Sequence, residues 1–155
     1  MREILFRGKN IDNGKWIYGG YVHLHKTTYC YAGSDDGNND IHRIVFERMT
    51  DWNLPNQHMM ADVLPETVGQ YTGLVDKNGV KIFEGDIVSY FKKDILNSEV
   101  IYKDGCFMFR FISEFTQRMR QSKQEPIFDN VSMCGEVIGN IHDNPELLKG
   151  GEENG

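Results

Sequence analysis

The sequence lacks the marks of a membrane protein, a secreted protein or a disulfide-stabilised domain. No window approaches the ~20 consecutive apolar residues that cross a bilayer. The first residues alternate charged and apolar side chains and lack the apolar core of a signal peptide. The three cysteines, Cys30, Cys106 and Cys134, are odd in number and far apart, which argues against a disulfide framework. We therefore expect a cytoplasmic protein with no membrane partner, and cysteines that are buried as small hydrophobic residues.

The sequence also lacks an excess of basic residues. Its net charge is −6; residues 1–60 hold 7 basic and 7 acidic residues, and residues 61–155 hold 10 and 16. The densest basic cluster, Arg110 to Lys123, is interrupted by Glu114. Nonspecific binding to duplex DNA needs a basic surface that displaces phosphate counterions. We therefore expect no duplex-DNA partner.

Two patterns of potential metal ligands are incomplete. His23 and His25 share one face of a strand, as a pair of zinc ligands can, but no third ligand is evident from the sequence. The loop from Asp35 to Asp40 is rich in oxygen ligands but lacks the spacing and terminal glutamate of a calcium loop. We interpret both as exposed polar segments and expect no metal and no other cofactor.

No group of residues predicts an active site. Gly85 and Asp86 precede a run of β-branched residues, which favours a carboxylate that accepts backbone amides in a turn over a catalytic acid. The serines and cysteines do not lie where a nucleophile would be activated. We therefore expect no enzyme. Stacking of single-stranded nucleic acid on tyrosines stays open as an alternative, with these candidates: Tyr18, Tyr21, Tyr29, Tyr31, Tyr90 and Tyr102.

The most informative stretch is residues 68–90, which reads as three short strands joined by two turns. Asp76 to Gly79 and Glu84 to Asp86 supply turn-forming residues between β-favouring ones. Gly79 is expected at positive φ, because it closes the first reversal. With Gly85 and Asp86 it forms our set of structural turn residues.

The pattern along the chain predicts a mainly β protein, a β-rich α+β fold with short helices. We expect a β-rich N-terminal portion at 1–62, a small closed or nearly closed β-barrel at 63–148, and a disordered tail at 149–155. Helical segments are expected at 113–124 and after Asn144. The predicted strands lie at 2–7, 16–24, 27–32, 41–47, 67–73, 80–83, 86–92, 98–103, 106–112 and 133–141, with a loop at 48–62. The predicted barrel core contains Ile87, Val88, Val100, Phe107, Phe109, Val137 and Ile141.

Three blocks of the sequence resemble the YopX-like family of proteins from bacteriophages and prophages. They are Arg2 to Arg7 with Gly14 to Gly19; Thr67 to Leu74 with Asp76 to Gly79 and Glu84 to Val88; and Gly135 to Leu148. The resemblance implies an SH3-like barrel in the C-terminal part, and it carries no catalytic residues. It implies a phage accessory protein that acts in the host cytoplasm.

Binding is the favoured mode of action, and a protein is the favoured partner. A single-stranded nucleic-acid module and a self-assembling structural protein are the alternatives. We also expect a homo-oligomer, because a strand at residues 2–7 offers an edge that a second copy can cover.

Overall fold

The computed structural model describes residues 1, 3–24, 40–51, 54–90, 96–127 and 131–149. The chain divides into two compact units, Ile4–Gly69 and a second unit that runs from Gln70 onward and includes Met1–Glu3. This boundary lies further along the chain than the predicted division at 62/63. From residue 150 the predicted tail lies outside the described residues, as does the predicted strand at 27–32.

The first unit is built from four antiparallel strands in the order β4-β3-β2-β1. Their bounds are β1 Phe6–Lys9, β2 Trp16–Leu24, β3 Ile41–Arg48 and β4 Gln57–Asp62, followed by a 3₁₀ turn at Pro65–Thr67. A tight turn joins β1 to β2, because the Asn10 side chain accepts the backbone N–H of Asp12 at 2.7 Å and Gly14 has φ of 67°. Ile44 and Val63 are buried at the centre of this unit.

Two predictions for the first unit need correction. Residues 48–62 were expected to form a loop, but they contain β4, which pairs with β3 without interruption. Strand β1 begins at Phe6 rather than at residue 2, and Ile4 is 67% exposed. Arg2 itself lies outside the described residues.

The second unit contains a hairpin and a five-stranded antiparallel sheet in the order β10-β9-β8-β7-β11. The hairpin joins β5, Gly69–Val75, which begins at the boundary, to β6, Lys81–Phe83. The sheet and its helices are β7 Asp86–Tyr90, β8 Asn97–Lys103, β9 Cys106–Phe111, α1 Glu114–Arg120, β10 Gln124–Pro126, α2 Val131–Cys134 and β11 Gly135–Asn140. A 3₁₀ turn follows at Pro145–Leu148.

The core of the second unit lies on one face of the five-stranded sheet. Val88, Val100 and Phe109 are buried there, as predicted, and belong to one hydrophobic core cluster. Ile87 is also fully buried, but it lies outside this core cluster. Since adjacent side chains of a strand point to opposite faces, Ile87 and Val88 are separated by the sheet. Three other predicted core residues, Phe107, Val137 and Ile141, are half-buried, and of these Val137 packs against the core cluster.

The prediction of a closed barrel over 63–148 is wrong, although the mainly β class is confirmed. In the described residues the five-stranded sheet stays open, with β10 at one end and β11 at the other. Strand β10 has three residues and ends in Pro126, which has no N–H to donate. Strand β11 is interrupted by a register shift between Val137 and Gly139. A short strand and an irregular one give few hydrogen bonds with which to close the sheet.

The cysteine prediction is also wrong where it can be examined. Cys106 is exposed at the start of β9, and Cys134 is half-buried at the end of α2. Cys30 lies outside the described residues. In the parts of the chain that the structure describes, no helix is long and apolar enough to span a membrane.

Candidate binding cleft

Strands β2 and β3 run side by side for half of their length and then separate. Gly20 to Leu24 of β2 pair with Ile41 to Val45 of β3. Before Gly20, β2 pairs with β1 instead, and beyond Val45, β3 pairs only with β4. The separation leaves a cleft of about 510 Å³ that lies wholly within the first unit.

The walls of the cleft are largely apolar and aromatic. One wall is formed by Trp16, Ile17 and Tyr18 of β2, and the other by Val45 and Phe46 of β3. Tyr18 is 49% exposed, and the others are partly buried. Aromatic side chains with few rotatable bonds are the residues that protein interfaces use as anchors. The cleft therefore offers a preformed apolar surface to a partner.

Gly19 lies at the apex of the cleft, where the two strands part. A Cβ atom built on Gly19 would lie 2.0 Å from the backbone oxygen of Val45 and 3.0 Å from Cγ2 of Ile44. At the neighbouring Gly20 a Cβ atom would meet nothing within 4 Å. The absence of a side chain at Gly19 thus allows β2 to approach β3 closely just before it turns away.

Two cations pack on the indole ring of Trp16 from the adjacent strand β1. The guanidinium carbon of Arg7 lies 4.6 Å from the ring centroid, and the ammonium nitrogen of Lys9 lies 5.4 Å from it. Arg7 is itself buried, so its contact with the ring is shielded from water. These contacts hold the Trp16 side chain in one orientation at the cleft wall.

One corner of the cleft carries a carboxylate. Glu47 of β3 lies opposite His58 of β4, with 3.8 Å between a carboxylate oxygen and Nδ1 of the imidazole. Its other contact is the side-chain amide of Asn56, which donates at 3.3 Å. Among the described residues, no lysine or arginine forms an ion pair with Glu47. An exposed acidic group therefore stands beside the apolar walls.

The candidate zinc ligand His23 lies elsewhere in the first unit, at the paired end of β2 and β3. Its Nε2 is 2.8 Å from a carboxylate oxygen of Asp40, and its ring stacks on that of His42 with centroids 4.6 Å apart. The hydroxyl of Tyr21 is 2.5 Å from Nδ1 of His42. Burial, and then the negative charge of Asp40, raise the pKa of Tyr21 above its ordinary value. His25 and the Asp35 to Asn39 part of the candidate calcium loop lie outside the described residues.

No metal centre is apparent in the described part of the chain. There, no three His, Cys, Asp or Glu side chains are grouped so that they could hold an ion. His23, Asp40 and His42 instead form contacts with one another. These contacts tie the end of β2 to the start of β3, opposite the end at which the cleft opens.

The predicted turn residues lie at turns of the second unit. Gly79 and Gly85 have φ of 80° and 81°. The carboxylate of Asp86 is buried and accepts the backbone N–H of Phe83 at 2.7 Å. These residues shape the β5–β6 hairpin and the turn into β7.

The sequence analysis missed the role of Asp76, which organises the same hairpin. Its carboxylate accepts the backbone N–H groups of Asn78, Val80 and Val137 at 2.8, 2.9 and 3.0 Å. Burial opposes its ionisation, but these three hydrogen bonds and the charge of Lys77 outweigh burial and lower the pKa of Asp76. The signal in the sequence was the Asp at the first position of a turn, but its long-range bond to β11 could not be foreseen.

Burial also raises the pKa of two more ionisable groups in the second unit. Burial raises the pKa of Glu84, although backbone N–H groups of Gln70 and Tyr102 partly offset it. Burial, and then the neighbouring Cys134, raise the pKa of Tyr90, against a smaller opposite effect of Arg120. Tyr90 packs edge-on against Phe109 in the core. Both side chains are half-buried.

The candidate stacking tyrosines differ in exposure. Tyr18 and Tyr102 are 49% and 53% exposed, whereas Tyr21 and Tyr90 are half-buried. Tyr29 and Tyr31 lie outside the described residues. Tyr102 of β8 packs against Phe107 of β9, with 5.1 Å between the ring centroids. Among the four of these tyrosines that the structure describes, Tyr18 alone lines the cleft.

One family of known proteins matches this chain over most of its length. The model of the family described as YopX protein matches residues 5–149. The chain belongs to the YopX family. The resemblance drawn from the sequence blocks is thereby confirmed.

A solved structure similar to this YopX-family chain is that of protein EF1440 from Enterococcus faecalis. The two are 25% identical in sequence, the match covers 96% of this chain and 99% of that chain, and the TM-score is 0.48. A search of the curated proteins gives no match.

Proposed function

We propose that this YopX-family chain is a bacteriophage or prophage accessory protein that binds a protein partner in the cytoplasm of the bacterial host. The observation that carries the proposal is the cleft between β2 and β3, with its exposed aromatic and apolar walls. Membership of the family supports the phage setting. The large apolar and aromatic contact area of the walls supports a binding role.

The composition of the cleft favours a protein over a nucleic acid. Trp, Tyr and Arg are enriched at the centres of protein interfaces, where they supply large contact areas. The Trp16 ring is already covered by Arg7 and Lys9, which limits stacking of a base on it. Glu47 would also repel a phosphate that entered from its side of the cleft.

A single-stranded nucleic acid is the second candidate, and one observation favours it. Tyr18 is exposed beside the two cations of β1, and aromatic rings next to basic groups are the usual means of holding single strands. Fluorescence anisotropy with a labelled oligothymidine tests this alternative. Binding that is lost in Tyr18→Ala would replace the protein-partner proposal.

The proposal is tested by capturing partners from the bacterial host during prophage induction, with the tagged chain as bait. The cleft variant is Tyr18→Ala, and the control is Tyr102→Ala, which removes a tyrosine of similar exposure from the second unit. We expect the wild type and Tyr102→Ala to capture the same protein and Tyr18→Ala to lose it. Equal capture by all three chains would show that the cleft is not the binding surface.

A further inference from the structure

Strand β4 has one side paired with β3 and one side turned outward. The backbone N–H of Val63, just after β4, donates to His42 of β3 at 2.9 Å, so Val63 faces inward. Main-chain groups alternate in direction along an antiparallel strand, and the register of β4 is continuous from Gln57 to Asp62. The N–H and C=O groups of His58 and Met60 therefore point outward. The carbonyl of Asp62 does so too, since it accepts the N–H of Ile11 at 3.1 Å.

Over most of its length, the outward edge pairs with none of the strands that the structure describes. A single bridge between Asn10 and Val63 covers the end near Asp62. Among the strands that the structure describes, β4 is the end strand of the order β4-β3-β2-β1, and no strand follows it on the side away from β3. Its sequence contains no Pro and no Lys, the residues that usually protect an edge from pairing, and Met60 is 62% exposed.

The side chains beside this edge define what can pair with it. Met60 and its cross-strand neighbour Val45 lie on one face of the sheet, as do His58 and its neighbour Glu47. The first pair offers an apolar contact, and the second offers the carboxylate that no described lysine or arginine neutralises. Charge complementarity therefore requires that a segment pairing with this edge carry a Lys or Arg two residues away from an apolar side chain.

We infer that β4 binds an extended segment of the protein partner as an added strand. An apolar side chain of that segment packs on Met60, and a Lys or Arg two residues along reaches Glu47. Main-chain hydrogen bonds to His58 and Met60 provide affinity, and the two side chains provide specificity. This inference rests on the proposed function, because it gives the binding mode of the same partner.

Proline scanning of β4 separates the two sides of the strand. Met60→Pro removes an N–H that points outward, which an edge strand tolerates, so we expect its melting temperature to stay close to that of the wild type. Met59→Pro removes an N–H that points to β3 and should lower the melting temperature strongly. Met60→Ala keeps the outward N–H and removes only the side chain.

The binding test uses a displayed library of seven-residue peptides selected on the wild-type chain. We expect selected peptides to carry an apolar residue two positions from a Lys or Arg, and to slow amide hydrogen exchange at His58 and Met60. Met60→Pro should bind them about tenfold or more weakly than Met60→Ala, since it also removes a main-chain hydrogen bond. A Glu47→Gln chain should lose the preference for the basic residue.

Several results would overturn strand addition. These are a selection that yields no binder, peptides that bind Met60→Pro as well as Met60→Ala, and protection that leaves His58 and Met60 unchanged. A molecular mass that doubles with concentration in the wild type, but not in Met60→Pro, would assign the edge to a second copy of the chain.

If Tyr18→Ala loses the captured partner while Met60→Pro retains it, the proposed function stands and strand addition fails. If neither variant loses it, the proposed function fails.

Discussion

Substitution of Gly19 by Ala probes the apex of the cleft, where β2 and β3 part. The new Cβ would lie 2.0 Å from the oxygen and 2.8 Å from the carbon of the Val45 carbonyl. That carbonyl belongs to the backbone of β3, so it cannot rotate away as a side chain can. Relief requires the strands to move apart, which weakens the pairing that begins at Gly20 and Val45.

Two effects determine the expected loss of stability: the steric overlap at residue 19 and the weakened pairing of β2 with β3. Overpacking of a tight site costs about 1–3 kcal/mol, and each weakened ladder hydrogen bond adds up to about 1 kcal/mol. We therefore expect Gly19→Ala to lower the free energy of unfolding by about 2–4 kcal/mol. Gly20→Ala is the matched control, because its Cβ meets no atom within 4 Å, and it should be neutral or stabilising by up to about 1 kcal/mol.

Urea unfolding followed by far-UV circular dichroism and tryptophan fluorescence measures both variants. The midpoint should fall in Gly19→Ala and stay near the wild-type value in Gly20→Ala, with similar slopes. Equal midpoints for the two variants would refute the close approach of β2 to β3 at Gly19. The geometry of the cleft would then need to be revised.

Three further predictions concern the second unit and the charge of the whole chain. Gly79→Val should destabilise the protein by roughly 1 kcal/mol or more, because Gly79 has φ of 80°; an unchanged melting curve would contradict this. The pKa of Asp76 is lowered in the folded state, so its carboxylate stabilises the fold above the unfolded-state pKa, and this contribution is lost as pH falls through the folded-state value. Acid titration of stability should therefore show a smaller loss below about pH 4 in Asp76→Asn than in the wild type; parallel curves would rule out this role. The chain should not bind random duplex DNA at ~150 mM salt, given its net charge of −6; micromolar affinity in a gel-shift assay would refute that expectation.

Strands with a clear alternation or a strong turn were predictable from the sequence. The bounds of β2 were predicted as they stand, because aromatic and β-branched residues fill residues 16–24. The turn between β8 and β9 lies at Asp104 and Gly105, a residue pair typical of hairpin turns, and both residues have positive φ. Local propensity is sufficient at such places, since the turn residues permit few other conformations.

Elements that depend on distant partners were not predictable. Strand β4 contains His58, Met59 and Met60 and shows no period of two, so its pairing with β3 is a tertiary effect. The open five-stranded sheet differs from the predicted barrel because closure would require its two end strands, β10 and β11, to pair with each other across the sheet. Residues 127–134, which separate β10 from β11, contain no sequence pattern that indicates whether these two strands pair.

The cleft was also missed, although the sequence contained a sign of it. Gly19 and Gly20 interrupt an otherwise strong strand, and glycine inside a strand often marks a bend or a close backbone approach. The two glycines alone do not reveal which strand comes close. Only the pairing of β2 with β1 on one side and β3 on the other shows that a cleft opens there.

Hydrogen–deuterium exchange on the purified complex of this chain with its captured partner tests the central claim most directly. The account predicts slowed exchange in peptides that cover residues 16–19 and 45–47, the two walls of the cleft, and strand addition predicts further protection in β4. Peptides of the β5–β6 hairpin should exchange as they do in the free chain. Protection confined to the second unit, or none in the cleft walls, would contradict the account.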